Sequence, residues 1–252
     1  MKLVDSIKKD FNTMTWVLIP VAIAINIAIG QIVLVLKLPV YLDSIGTVLV
    51  GVICGPWAGA LTGTLSSMIW GLVIDPGAFP WWPVALFIGF VAGWCANAGL
   101  FKNTWKVLIA GFLIALTAAV VSTPISVLLF GGISASGSSF ITAYLLQTGQ
   151  GLISSVLSTN FLVEPVDKIS TALLAFTIIR GLSGRYIARF PRAENAGVEK
   201  DDRRSLLIGA GVFAVYIVLV GIFSNLVLLW IGLVVAVILL VVTLLVSRSS
   251  KQ

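Results

Sequence analysis

The sequence predicts an all-α polytopic membrane protein. Of its 252 residues, 59% are hydrophobic and only 10% are charged, whereas a soluble domain carries about 25% charged residues. The mean hydropathy is +1.10. Apolar residues occur in long runs instead of short alternating ones, which favours helices over a β-barrel. At about 20 residues per span, the chain has room for about eight transmembrane helices and no large soluble domain.

Residues 38–72 predict the helical hairpin around which the other helices pack. The stretch begins with a polar pair, Asp43 and Ser44, at the mouth of an apolar run. It turns at Gly55-Pro56 and returns through a segment rich in Gly, Ala, Ser and Thr. Small residues let neighbouring membrane helices approach closely, so the returning limb is expected to pack tightly.

Apolar runs and charged breaks divide the rest of the chain. We expect six core helices and two further transmembrane helices at the C-terminus. The core helices are predicted at about 15–36, 43–54, 57–73, 83–98, 107–130 and 169–185. The predicted units are a membrane domain (1–192), a cytoplasmic linker (193–204) and a two-helix transmembrane extension (205–252).

Residues 140–160 are too polar for an ordinary span. A polar stretch at membrane depth is costly unless it faces protein or a cavity. We expect this segment to be a re-entrant or broken helix, with Tyr144, Gln147, Thr148 and Gly151 on one face. The sequence Glu-Pro-Val-Asp-Lys at 164–168 is then expected to form a turn before the last core helix.

The distribution of charge predicts the orientation. Lys and Arg cluster in the N-terminal segment, the loop at 101–106, residues 180–204 and the C-terminal tail. The positive-inside rule therefore places both termini in the cytoplasm. Six charged residues are left for the outer side: Lys37, Asp43, Asp75, Glu164, Asp167 and Lys168.

The sequence lacks several signatures of chemistry. It contains no histidine, no phosphate-binding loop followed by Lys-Ser or Lys-Thr, and no nucleophile elbow. We therefore expect no enzymatic activity, no metal and no cofactor. Topology and anionic lipid explain the basic inner surface better than nucleic acid does.

Four features occur in an order and spacing that resemble a known family. They are the Ala24-xxx-Ala28 pair, the hairpin at 41–63, the small-residue loop Phe-Gly-Gly-Ile-Ser-Ala-Ser-Gly-Ser at 130–138, and the 164–168 motif. Residues 15–185 resemble the substrate-binding S components of energy-coupling factor (ECF) transporters, which are six-helix proteins of the prokaryotic cell membrane.

The resemblance implies a function and partners. Such a subunit captures a vitamin or related micronutrient at the outer face. It works with a membrane coupling subunit and two ATPases. Ala24 and Ala28 would dock on the coupling subunit, and residues 38–43 would form a gate over the pocket. The two predicted helices after Ser205 exceed the usual six.

Polar and amphipathic residues of the outer half form the predicted substrate site, because unpaired polar groups at membrane depth cost a few kcal/mol each. They are Tyr41, Asp43, Trp70, Trp81, Trp82, Tyr144, Gln147, Thr148, Asn160 and Glu164. The outer acids indicate a neutral or cationic ligand and the tryptophans a flat ring. The same residues could instead satisfy one another in a helix-packing network.

Two other functions fit the sequence. A stand-alone secondary transporter would need a coupling ion held by backbone carbonyls, because no acid lies in the middle of a predicted span. A membrane sensor module would need a signalling domain, and none follows in this sequence.

Overall fold

The computed structural model describes residues 2–196. These residues form helices and no strand, which confirms the all-α prediction for this part of the chain. The predicted extension at 205–252 and most of the linker lie outside the described residues. The α-helices are α1 (Lys2–Asp10), α2 (Thr13–Val35), α3 (Ile45–Cys54), α4 (Pro56–Val73), α5 (Trp82–Asn97), α6 (Thr104–Phe130), α7 (Ser139–Gln147), α8 (Leu152–Gly181) and α9 (Gly184–Ile187). Two 3-10 helices lie at Pro76–Trp81 and Ala193–Ala196.

Within residues 2–196, three segments are long and apolar enough to cross a membrane: Thr13–Val35, Pro76–Asn97 and Thr104–Phe130. Large apolar side chains on their outward faces are exposed, such as Val17 and Leu128 at 60% and 80%. An apolar surface of this kind belongs in lipid. The protein is therefore a membrane protein.

The hairpin forms as the sequence predicts. Gly55 ends α3 with φ +121°, a conformation that glycine adopts without strain, and Pro56 begins α4 at a position where no amide hydrogen is needed. The 10 residues of α3 reach only about 15 Å, half the thickness of a hydrocarbon core. The loop before α3 therefore descends toward the middle of the bundle.

Glycine permits the close packing of the returning limb. A Cβ on Gly59 would lie 2.6 Å from the carbonyl oxygen of Gly89, and a Cβ on Gly89 would lie 2.2 Å from that of Gly59. The backbones of α4 and α5 therefore touch, as small residues allow in membrane helices.

One end of the bundle, here called the turn end, carries the Gly55-Pro56 turn. Asp10, at the end of α1, is fully buried there. Its Oδ1 accepts a hydrogen bond from Arg192 Nη2 at 2.7 Å, and its Oδ2 accepts one from the Trp57 amide at 3.0 Å. Asn195 Nδ2 donates to Val52 and Asn97. The first residues of the predicted linker thus pack on the bundle.

The opposite end, here called the loop end, brings three connections together. We name residues 36–44 the gate loop and residues 131–138 the serine loop. Lys37 Nζ of the gate loop donates to the carbonyl of Ala135 at 2.8 Å. The third connection contains Trp81, whose ring stacks on Phe130 at 5.2 Å between centroids.

The expected turn at 164–168 is wrong. These residues lie inside α8, a continuous helix of 30 residues with Pro165 in its interior. Proline removes one backbone hydrogen bond, a loss that packed membrane helices tolerate. Residues 140–160 form a broken helix, one of the two predicted forms. The break separates α7, which ends at Gln147, from α8, which begins at Leu152.

Candidate functional site

A cavity of about 190 Å³ opens at the loop end. Its walls come from α2 to α8 and from the gate and serine loops, so most of the described fold contributes to it. Apolar walls with a few polar groups are typical of small-molecule sites.

The cavity brings together six of the ten residues predicted from the sequence. These are Tyr41, Asp43, Trp70, Trp81, Asn160 and Glu164. The other four, Trp82, Tyr144, Gln147 and Thr148, do not line it. Ligand contact by any of the ten stays a prediction.

The four residues lie outside for local reasons. The helix predicted at 140–160 stops at Gln147, and the chain then turns at Gly149, which adopts φ +86°. Tyr144, Gln147 and Thr148 are exposed. Trp82 is the first residue of α5, and consecutive helical residues point about 100° apart, so Trp81 and Trp82 cannot face one cavity alike.

A buried ammonium lies beside the cavity among three carboxylates. Lys168 Nζ binds Asp167 directly and lies 3.7 Å from Asp43 and 3.8 Å from Glu164. Lys168 and Glu164 are 2% and 3% exposed, and Asp167 is fully buried. Buried charges of this kind require partners, and a charge without one is strongly destabilising.

Asp167 also holds the gate loop. Its Oδ1 accepts hydrogen bonds from the amides of Tyr41 at 2.8 Å and Leu42 at 2.7 Å. Leu42 has φ +49°, a conformation rarely adopted by non-glycine residues. The two hydrogen bonds to a buried carboxylate compensate for that strained turn.

Tyr41 joins the gate loop to the serine loop. Its hydroxyl lies 2.9 Å from Ser138 Oγ, which in turn lies 2.8 Å from Ser136 Oγ. Burial, and the nearby Glu164 carboxylate, raise the pKa of Tyr41 above its ordinary value. The hydroxyl therefore stays protonated and available as a donor.

Asn26 joins three helices beside the cavity. The residue is fully buried in α2. Its Nδ2 donates to Thr47 Oγ1 at 2.8 Å and to Ser66 Oγ at 2.9 Å, and its Oδ1 accepts from the Gly46 amide at 2.7 Å. Thr47 and Ser66 line the cavity, so Asn26 fixes both hydroxyls from behind.

Asn160 behaves partly as a packing residue. Its Nδ2 donates to Ser122 Oγ at 3.1 Å and Thr123 Oγ1 at 3.0 Å, which ties α8 to α6. The alternative of a helix-packing network therefore applies to the amide nitrogen of Asn160.

Two buried polar atoms beside the cavity have no hydrogen-bond partner within the described part of the chain. They are Trp70 Nε1 and Glu164 Oε2; the second atom lies 3.8 Å from Lys168 Nζ, an ion-pair distance too long for a hydrogen bond. Trp70 is 9% exposed, and its ring fits against Gly30, where a Cβ would lie 2.6 Å from a ring carbon. Unpartnered buried groups are uncommon, and each costs about 1–3 kcal/mol.

Asp167 and Lys168 were not predicted as site residues. Both lie in the 164–168 motif, where the sequence predicts a turn. The available signal was the spacing of Glu164, Asp167 and Lys168, which places three ionisable groups on one helical face. Ionisable groups inside a membrane helix usually mark a functional site.

The predicted docking residues lie on an open surface. Ala24 and Ala28 are both exposed on α2, one helical turn apart. No group of three or more Cys, Asp or Glu residues in the described ranges could hold a metal ion.

Comparison of the chain with protein-family models, curated proteins and solved structures found no match.

Proposed function

We propose that this chain is a substrate-binding membrane protein that captures a small molecule in the cavity at the loop end. The observation that carries the proposal is that two residues lining the cavity, Trp70 and Glu164, each have a buried polar atom, Nε1 and Oε2, that makes no hydrogen bond within the described part of the chain. A bound ligand would supply the missing partners. The gate loop, hydrogen-bonded to Asp167, would close over it.

Charge supports an orientation with the loop end outside the cell. The turn end carries many basic residues, including Lys8, Lys102, Lys106, Arg185 and Arg189. Basic loops remain in the cytoplasm. Captured molecules would then arrive from the outer side, in a prokaryotic cell membrane.

The finer proposal is a substrate-binding subunit of an ECF-type importer for a vitamin or related micronutrient. Its support is the resemblance of the sequence, together with the open Ala24 and Ala28 surface on α2. A coupling subunit and two ATPases would drive release to the cytoplasm. The chain itself would bind substrate without transporting it.

One experiment tests both substrate capture and the finer proposal of an importer subunit. The full chain is purified in detergent, and released small molecules are identified by mass spectrometry. The same chain is then placed alone in proteoliposomes and tested for uptake of the molecule found. A bound molecule with no uptake is expected. Uptake by this chain alone would favour the stand-alone transporter, and absence of any bound molecule would count against substrate capture.

A further inference from the structure

The cavity limits the size of its ligand. Its volume is about 190 Å³. For comparison, an engineered apolar cavity of about 150 Å³ in another protein binds benzene. This cavity therefore suits a molecule with one or two rings. The stacked rings of Trp81 and Phe130 form part of its wall and suit a planar occupant.

The two atoms without a hydrogen bond in the described fold, Trp70 Nε1 and Glu164 Oε2, indicate which hydrogen bonds a ligand would make. Trp70 Nε1 can only donate, and Glu164 Oε2 accepts when the carboxyl group is ionised. Both residues are at least nine-tenths buried. A ligand that satisfies both atoms carries an acceptor on one edge and a donor on another, as nitrogen heterocycles do.

The charges specify the sign of the ligand. Among the described residues that line the cavity, Asp43, Asp75 and Glu164 are acidic and Lys168 is the only basic one. Lys168 binds Asp167 directly, so much of its charge is already compensated. The remaining field is negative, and an anion would be repelled by it.

From these three observations we infer that the cavity takes a planar, cationic nitrogen heterocycle of one or two rings, which donates a hydrogen bond to Glu164 and accepts one from Trp70. The inference rests on the proposed function. It deepens that function by naming the class of substrate.

Three isosteric probes test the charge: pyridine-3-carboxamidine, pyridine-3-carboxamide and pyridine-3-carboxylate, which are cationic, neutral and anionic. Binding to the purified full chain is measured by titration calorimetry and by thermal shift. The amidine is expected to bind at least tenfold more tightly than the carboxylate. This comparison uses the unaltered chain, so it does not depend on how any variant folds.

Two variants test the contacts. Glu164→Gln keeps the shape and removes the charge, so the preference for amidine over carboxylate should fall by about tenfold or more. Trp70→Phe removes the indole donor, so the preference for pyridine-3-carboxamidine over benzamidine, which lacks the ring nitrogen, should disappear. Gln150→Ala, at an exposed position that does not line the cavity, is the control and should change neither preference.

The outcomes separate the inference from the proposed function. If the carboxylate binds as tightly as the amidine, or if the molecule released from the purified chain is an anion, the substrate class is wrong while substrate capture stands. If no probe binds and no molecule is released, both fail.

Discussion

The Asp167 carboxylate accepts a hydrogen bond at 2.8 Å from the amide of Tyr41, 126 positions earlier in the chain. This bond links the middle of α8 to the loop that would close the cavity. Because Asp167 also pairs with Lys168, one buried carboxylate holds both the gate loop and the only basic group in the described cavity lining.

Replacing Asp167 by Asn should destabilise the protein. The change leaves Lys168 buried without its direct counter-charge, which costs about 3–5 kcal/mol in comparable pairs. Denaturant unfolding in detergent, followed by tryptophan fluorescence, measures the loss. Asp75→Asn is the control, since Asp75 caps a short 3-10 helix by accepting from the Gly77 amide, a role that Asn can keep. Equal stability of the two variants would contradict the assigned role of Asp167.

Asp10 and Arg192 should be energetically coupled. Their side chains meet at the turn end through two hydrogen bonds, at 2.7 and 3.0 Å. Asp10→Ala and Arg192→Ala should each lower stability, and the double variant should lose less than the sum of the two. Arg185→Ala at an exposed position should have little effect. Strict additivity in the double-mutant cycle would show that the contact contributes nothing.

Tyr41→Phe should accelerate ligand release. The variant loses the hydroxyl that lies 2.9 Å from Ser138 Oγ, so the gate and serine loops are held together less firmly. A neutral hydrogen bond contributes about 1 kcal/mol, which corresponds to about a fivefold faster dissociation. Stopped-flow release of the co-purifying ligand measures the rate. Tyr144→Phe, at an exposed tyrosine outside the cavity, is the matched control and should leave the rate unchanged.

Trp81→Leu should weaken ligand binding much more than Trp82→Leu. Trp81 lines the cavity and stacks on Phe130, whereas its sequence neighbour does not line it. Loss of an aromatic wall is expected to lower affinity by about tenfold. Titration of the co-purifying ligand into both variants checks this. A larger effect at Trp82 would move the site away from this cavity.

Ala24→Leu combined with Ala28→Leu should leave ligand binding near normal and prevent assembly with a coupling subunit. Both residues are exposed on α2, so added bulk meets no part of the described fold but blocks the close approach of a partner. Co-purification with the coupling subunit is the measurement. Val120→Leu, on the exposed face of α6, serves as a control. Normal assembly of the double variant would exclude the docking role.

Hydrophobicity and local turn chemistry determined much of this fold. The sequence alone predicted the membrane environment, the Gly55-Pro56 turn and helices close to α2 through α6. Each depends on residues adjacent in the chain. Long apolar runs must become helices in a bilayer, and a Gly-Pro pair must interrupt them. The grouping of Tyr41, Asp43, Trp70 and Glu164 near one end also followed from topology.

Tertiary structure decided what depends on distant partners. Glu-Pro-Val-Asp-Lys looks like a turn by itself, but α8 continues through it because Asp167 and Lys168 find Tyr41, Leu42 and Asp43 on another element. Conversely, Gln147 and Thr148 do not line the cavity: α7 ends at Gln147, the chain turns at Gly149, and both side chains are exposed. Whether a polar group in a membrane is tolerated depends on what packs against it, and a linear sequence does not contain that information.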